Sequence, residues 1–229
     1  MIRSRPITLA AAGTALLANY WALESLLAKR TDFDSAWISD LAARSEAFGW
    51  RFEALAILAG LALAGLALLL LRPLGELSPA IRHGVLALLA AGALGVVAGI
   101  ATLDCAEGLE ATCKLDYGAL DLTHTISSVA EVLATALAFA WIGFGLLGIE
   151  RGRAFPRIAK KSSTALVGTG RVTLLLGALW GVLSILTGLS FLSGDIDSIK
   201  GLAQRGGQVL LSCWLVLLGA WADRRSLSR

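Results

Sequence analysis

Residues Phe52–Leu71 read FEALAILAGLALAGLALLLL, and Arg72 closes the run. After Glu53 the stretch contains no charge, no proline and no hydroxyl side chain. Twenty residues in helical form measure about 30 Å, which is the thickness of a bilayer's hydrocarbon layer. Working outward from this run, five more stretches share its character: Pro6–Leu27, Gly84–Leu103, Leu122–Leu147, Gly170–Leu192 and Leu202–Ala222. The expected architecture is therefore all-α, a polytopic integral membrane bundle of six transmembrane helices. Residues 1–229 read as a single transmembrane domain with no internal repeat or low-complexity tail.

Composition agrees. Hydrophobic residues make up 56% of the 229, charged residues only 16%, and mean hydropathy is +0.73. Soluble domains are near a quarter charged, so these charges are too few to coat a surface in water. A cytosolic enzyme, a disordered regulator and a secreted disulfide scaffold are excluded. The net charge of +3 does not mark a nucleic-acid partner, because the basic residues sort by topology. Arg3 and Arg5 precede the first span, which raises a cleaved leader. The run is long, however, and ends at Asn19-Tyr20-Trp21 and Glu24 without a small-residue cleavage site, so a retained anchor is expected.

Thirteen of the 20 Lys and Arg residues fall on one side of the six spans, accompanied only by Glu76, Glu150 and Asp223. The other side holds 14 of the 17 acidic residues. The positive-inside rule then puts both termini in the cytoplasm of a cell with this protein in its inner membrane. The connection Glu150–Thr169 is basic and reads as a linker lying on anionic headgroups. The small-residue pairs Gly95/Gly99 and Gly177/Gly181 permit close helix approach, with intramolecular packing expected over dimerisation.

The opposite face carries the polar information. In Ser35–Phe48, Trp37, Ile38, Leu41, Ala42 and Phe48 fall on one side at helical spacing. The expectation is a short amphipathic helix in the first outer loop, serving as a structural lid. The second outer loop, Asp104–Asp121, contains Cys105 and Cys113, on the side where oxidising conditions permit a disulfide; a metal pair is the alternative. Cys213, in the last span, is expected to be a small buried apolar residue.

The fourth span concentrates the candidates. Asp121, His124, Ser128 and Glu131 fall within an arc of about 80°, with Ser127 at its edge. Glu131 lies about 15 Å along the helix from Asp121, near the bilayer midplane, where a carboxylate needs a partner or an aqueous cavity. Asp121 suits an N-cap, and His124 reads either as an interfacial histidine or as a catalytic group. In the sixth span Gln204, Arg205, Gln208 and Ser212 share a face. The first span contributes Asn19 and Glu24, the second Glu53 beside Arg51. These residues, with Asp40 and Asp104, predict a polar pocket opening outward between the first, second, fourth and sixth spans, and Arg205 is the expected partner of Glu131 or Asp121.

Counting removes several chemistries. His83 and His124 lie at opposite ends of the core, about 30 Å apart, so no bis-histidine haem and no three-histidine zinc site is expected. There is no C-x-x-C, no mid-span lysine and no phosphate-binding glycine loop. No cofactor or metal is expected, although Asp104, Asp121 and His124 would be where an ion could sit. Asp121 and His124 as a base, with Ser127 or Ser128 as nucleophile, would make an outward-facing hydrolase or transferase.

Three segments resemble a known family: Trp37-Ile38-Ser39-Asp40-Leu41, Asp104-Cys105, and His124-Thr125-Ile126-Ser127-Ser128. The chain resembles, over nearly its whole length, the bacterial and archaeal membrane family termed domain of unknown function 998. The resemblance implies a compact multi-span bundle and directs attention to Ser39, Asp40, Asp104 and His124, without supplying an activity. The leading expectation is a non-catalytic envelope or accessory membrane protein, with membrane lipids and a protein in the membrane as partners. Binding or transport of a lipid or small solute through Glu131 and Arg205 is the alternative, followed by the hydrolase.

Overall fold

The computed structural model describes residues 5–24, 36–106, 113, 118–150, 159–193 and 197–226. Among them are six α-helices: α1 (Pro6–Ala18), α2 (Gly49–Gly75), α3 (Pro79–Ile100), α4 (Ala119–Glu150), α5 (Ala159–Ser193) and α6 (Asp197–Ser226). Helices α2 to α6 are each long and apolar enough to cross a membrane.

The first helix is shorter than the sequence suggests. α1 has 13 residues and passes into a 3-10 turn, Tyr20–Leu23. Asn19 causes the break. Its Nδ2 donates to Ala15 O at 2.7 Å, taking the carbonyl an α-helix would reserve for the Asn19 N–H. That N–H shifts to Leu16 O at 3.2 Å, the i−3 spacing of a tighter turn. The part of the expected span beyond Glu24 lies outside the described residues.

Each helix packs on its neighbours in sequence, and α6 closes on α1, so the six form a ring. The closing contact is polar. No side chain of its own caps α1. Instead Asp223 near the end of α6 accepts from the Ile7 N–H (3.3 Å), the Thr8 N–H (2.8 Å) and the Thr8 hydroxyl (2.6 Å). A carboxylate there satisfies orphan donors and opposes the positive end of the helix dipole. α3 begins on its own signals, with Pro79 in the first turn and the Ser78 Oγ accepting from the Ile81 N–H.

Glycines set the closest approaches. A Cβ on Gly92 would lie 2.5 Å from Ala64 N and 2.8 Å from Gly60 O, so α2 and α3 touch backbone to backbone. Of the expected small-residue pairs, Gly99 meets Ile57 of α2 and Gly177 meets Phe139 of α4; both contacts are within the chain.

The ring is filled at the end bearing Arg72, Arg82 and Arg224. Leu70, Leu74, Ile81, Ile142, Leu146 and Leu218 are fully buried there. Towards the middle, Phe139 stacks on Trp214 at 3.9 Å, and the Trp214 indole N–H donates to Thr173 Oγ1 at 3.2 Å. The outside is inverted relative to a soluble protein. Leu9, Leu16, Leu61, Leu133, Phe144 and Leu175 are each more than half exposed, a surface matched to acyl chains. Arg51 lies over the rings of Phe48 and Trp50 at one end, and Arg225 over Trp221 at the other, as amphipathic aromatics do at the two interfaces.

Two local expectations are corrected. The first loop holds no amphipathic helix among its described residues, only a 3-10 turn at Ser39–Ala42. Asp40 is wholly buried and its Oδ2 accepts from the Trp37 N–H at 2.8 Å, which favours a tight turn over helix continuation. Cys213 is exposed on α6 and not buried, because the interior face of that turn is taken by Ser212 and Trp214.

Gly92→Leu is expected to lower stability by at least about 1–3 kcal/mol through overpacking of α2 on α3. Gly65→Leu, where an added Cβ meets nothing within 4 Å, should melt within a degree or two of wild type. Thermal unfolding in detergent compares the two.

Candidate functional site: a chamber in the open half of the ring

Towards the end bearing the Cys105–Cys113 disulfide, residues lining the ring's centre become small: Gly95, Ala98, Ala203 and Gly207. Side chains no longer meet, and a chamber of about 490 Å³ remains. Leu63, Trp180, Leu211 and Leu215 line its apolar part. Its polar lining comes from Tyr20, Ser39, Asp40, His124, Thr125, Ser128, Glu131, Thr135, Ser184, Thr187, Gln204 and Gln208. The size suits a small-molecule site, in which few polar groups stand in a mostly apolar wall.

Glu131 reaches this chamber from α4, opposite Gly95 of α3. A Cβ on Gly95 would come within 3.3 Å of Glu131 Oε1, so the missing side chain makes room for the carboxylate. Among the described residues none hydrogen-bonds or ion-pairs with Glu131.

Arg205 is not the partner of Glu131 or Asp121. Its Nη2 donates to Glu24 Oε2 at 2.8 Å and its Nη1 to Ala36 O at 2.7 Å. Glu24 is 0% exposed and Arg205 is 3% exposed. The Asn19 break turns Glu24 inward, which a continuous helix reading could not anticipate. Next to Arg205, Gln204 Oε1 accepts from the Ile38 N–H at 2.7 Å, and the Lys200 ammonium stands over the Trp37 ring. These contacts fix the Trp37–Ala42 segment across the chamber's end as a roof. A second set joins the two loops. The Arg44 N–H donates to Leu103 O, its Nε to Thr102 Oγ1, and its guanidinium pairs with Asp104 at 3.2 Å.

Asp121 does not cap α4, which starts two residues earlier. Buried in the first turn, its Oδ1 accepts from the Asp104 N–H at 3.1 Å. His124 Nδ1 lies 2.9 Å from Ala98 O and 3.0 Å from Ala101 O, two acceptors, so Nδ1 carries the proton and Nε2 is left for the chamber. The Asp121–His124 base pair expected for a hydrolase does not form. Ser127 is committed to its own helix, donating to Thr123 O at 2.6 Å. Ser128 lines the chamber. Among the described residues, no group of three or more His, Cys, Asp or Glu could hold a metal ion, Asp104, Asp121 and His124 included.

Of the expected pocket residues, Asp40, Glu131 and Gln208 line the chamber. Asn19, Glu24, Glu53, Asp104 and Arg205 stand outside it. Asn19 also donates to Ser212 Oγ at 2.7 Å, joining α1 to α6. Tyr20, Ser184 and Thr187 were missed. The last two sit three residues apart on one face of a Leu-rich helix, a signal the sequence did carry.

Arg205→Met strands a buried carboxylate and is expected to destabilise the protein by about 3–5 kcal/mol. Adding Glu24→Gln to that variant should recover most of the loss. Denaturant titration of both variants in detergent gives the comparison.

The family profile of proteins of unknown function DUF998 matches residues 9–221, from within α1 into the last turns of α6. Comparison with curated proteins and with solved structures gives no match. The three family-like segments occupy the roof (Trp37–Leu41), the loop latch (Asp104-Cys105) and the chamber wall (His124–Ser128). An apolar-faced helical bundle matched over 9–221 belongs to the DUF998 family of membrane proteins.

Proposed function

We propose that the chain is a non-catalytic, single-domain protein of the cell inner membrane that spans it six times, keeps both termini in the cytoplasm and binds an amphiphilic or small polar ligand in its chamber. The observation that carries the ligand is Glu131, a carboxylate facing about 490 Å³ of open space with no partner among the described residues. Such a group is costly in an apolar bundle unless something polar or charged meets it. Binding is favoured over passage by the packed half of the ring, where, among the described residues, Leu70, Ile81, Ile142 and Leu218 are fully buried in an apolar core. Binding is favoured over hydrolysis because Asp121, His124 Nδ1 and Ser127 are each engaged elsewhere.

Orientation rests on two independent arguments. In the sequence, thirteen of the 20 basic residues fall to one side of the six expected spans. The Cys105–Cys113 bridge at the other end belongs to an oxidising compartment.

Two measurements test this reading. A membrane-impermeant maleimide applied to intact cells after mild reduction should label Cys105 and Cys113, and a fluorescent protein fused to either terminus should mature in the cytoplasm; labelling confined to opened cells would reverse the orientation. Native mass spectrometry of protein released from lipid nanodiscs should show a bound small molecule in wild type. Gly95→Leu, which fills the chamber beside Glu131, should lose it while staying folded. A wild-type protein that never carries an adduct would make the chamber structural only.

A further inference from the structure

Resting on the chamber reading above, we infer that the chamber fills sideways from the bilayer, through a gap between α4 and α5, and that its ligand is a long-chain amphiphile with a cationic head. Among the described residues that line the chamber, only Val129, Val132 and Leu133 of α4 and Gly188 of α5 are exposed. Val129 is 56% exposed and Leu133 61%. A wall residue that also faces outward marks an opening, and these four mark one opening between two adjacent helices.

The packing explains why the gap lies there. Nearer the basic end α4 and α5 are sealed, since a Cβ on Gly143 would strike Leu174 and one on Gly177 would strike Phe139. Past that seal, a Cβ on Gly188 meets nothing within 4 Å. At the end of the chamber, among the described residues, Arg205, Gln204 and Lys200 fasten the roof to α6. The rim is aliphatic and faces the acyl layer, so what enters is already dissolved in lipid and leaves its chain in the gap.

The head is set by charge. Among the described residues that line the chamber, Asp40 and Glu131 are the only Asp, Glu, Lys or Arg. The nearby cations are turned to other partners, Arg205 to Glu24 and Lys200 to the Trp37 ring. A phosphate or carboxylate head would meet no counter-charge among the described residues of this wall, whereas an ammonium would meet the Glu131 carboxylate and the acceptor oxygens of Gln208 and Ser128.

The test uses hexadecylamine with a photoreactive diazirine in mid-chain, added to the full-length protein in phosphatidylcholine nanodiscs. Labelled peptides are expected from α4 and α5, with excess hexadecylamine competing at least tenfold better than hexadecanoate. Glu131→Gln should cut labelling at least tenfold. Gly188→Trp, built into open space, should do the same while melting like wild type, and Gly188→Ala should label normally. Unchanged labelling in Gly188→Trp with loss in Glu131→Gln overturns lateral entry but keeps the chamber. Equal competition by hexadecanoate overturns the cationic head. An unlabelled wild type that still carries a native adduct overturns both parts of this inference and leaves the ligand site standing. An unlabelled wild type without an adduct removes the site as well.

Discussion

The buried contact between Glu24 and Arg205 is the constraint on which the open half of the ring depends. Two ions removed from water lose several kcal/mol each in hydration, and attraction repays that only with good geometry and additional hydrogen bonds. Both conditions are met by the 2.8 Å contact, by the Ala36 carbonyl on the second guanidinium nitrogen and by the Trp21 ring 5.7 Å away. The pair joins the turn after α1, the roof segment and the start of α6. Together with the Gln204–Ile38 and Arg44–Asp104 contacts, it holds apart the helices around a cavity bounded by glycine and alanine.

The contrast between the two halves of the ring follows from side-chain volume. At the basic end, leucine, isoleucine and tryptophan interdigitate, and dispersion contacts accumulate with few voids. At the disulfide end, the same helices present Gly95, Ala98, Ala203 and Gly207 to the centre. Close backbone contact between α2 and α3 at Gly60 and Gly92 holds that side of the wall rigid, while α4 and α5 separate above Gly177. Space in a bundle of this kind is created by omission of side chains, and polar groups then occupy its boundary.

Much of this was legible beforehand. Long apolar runs reveal α2 to α6 because the bilayer fixes a minimum length, and a carboxylate at position 131 stands out because lipid gives it no solvation. The cysteine pair could be read from its compartment. What escaped the sequence were events depending on a single side chain's choice of partner. Asn19 could have faced outward, but it bonded to Ala15 and Ser212 and ended a helix that hydropathy would have continued. Arg205 was expected to meet Glu131 or Asp121, and the turn at Asn19 brought Glu24 within its reach instead. His124 and Asp121 lie on one helical arc, yet the carbonyls ending α3 and the Asp104 amide were nearer than either was to the other. Periodicity assigns a face of a helix and is silent about which neighbour arrives there first.

The cap that Asp223 places on Ile7 and Thr8 has a consequence for biogenesis. During synthesis the opening helix emerges with its leading amides bare, and the carboxylate that satisfies them is translated more than two hundred residues later. Until then the helices form an open arc, with the Ile7 and Thr8 amides uncapped by Asp223. Ring closure is thus tied to the order of synthesis: α1 gains its cap only when α6 docks against it.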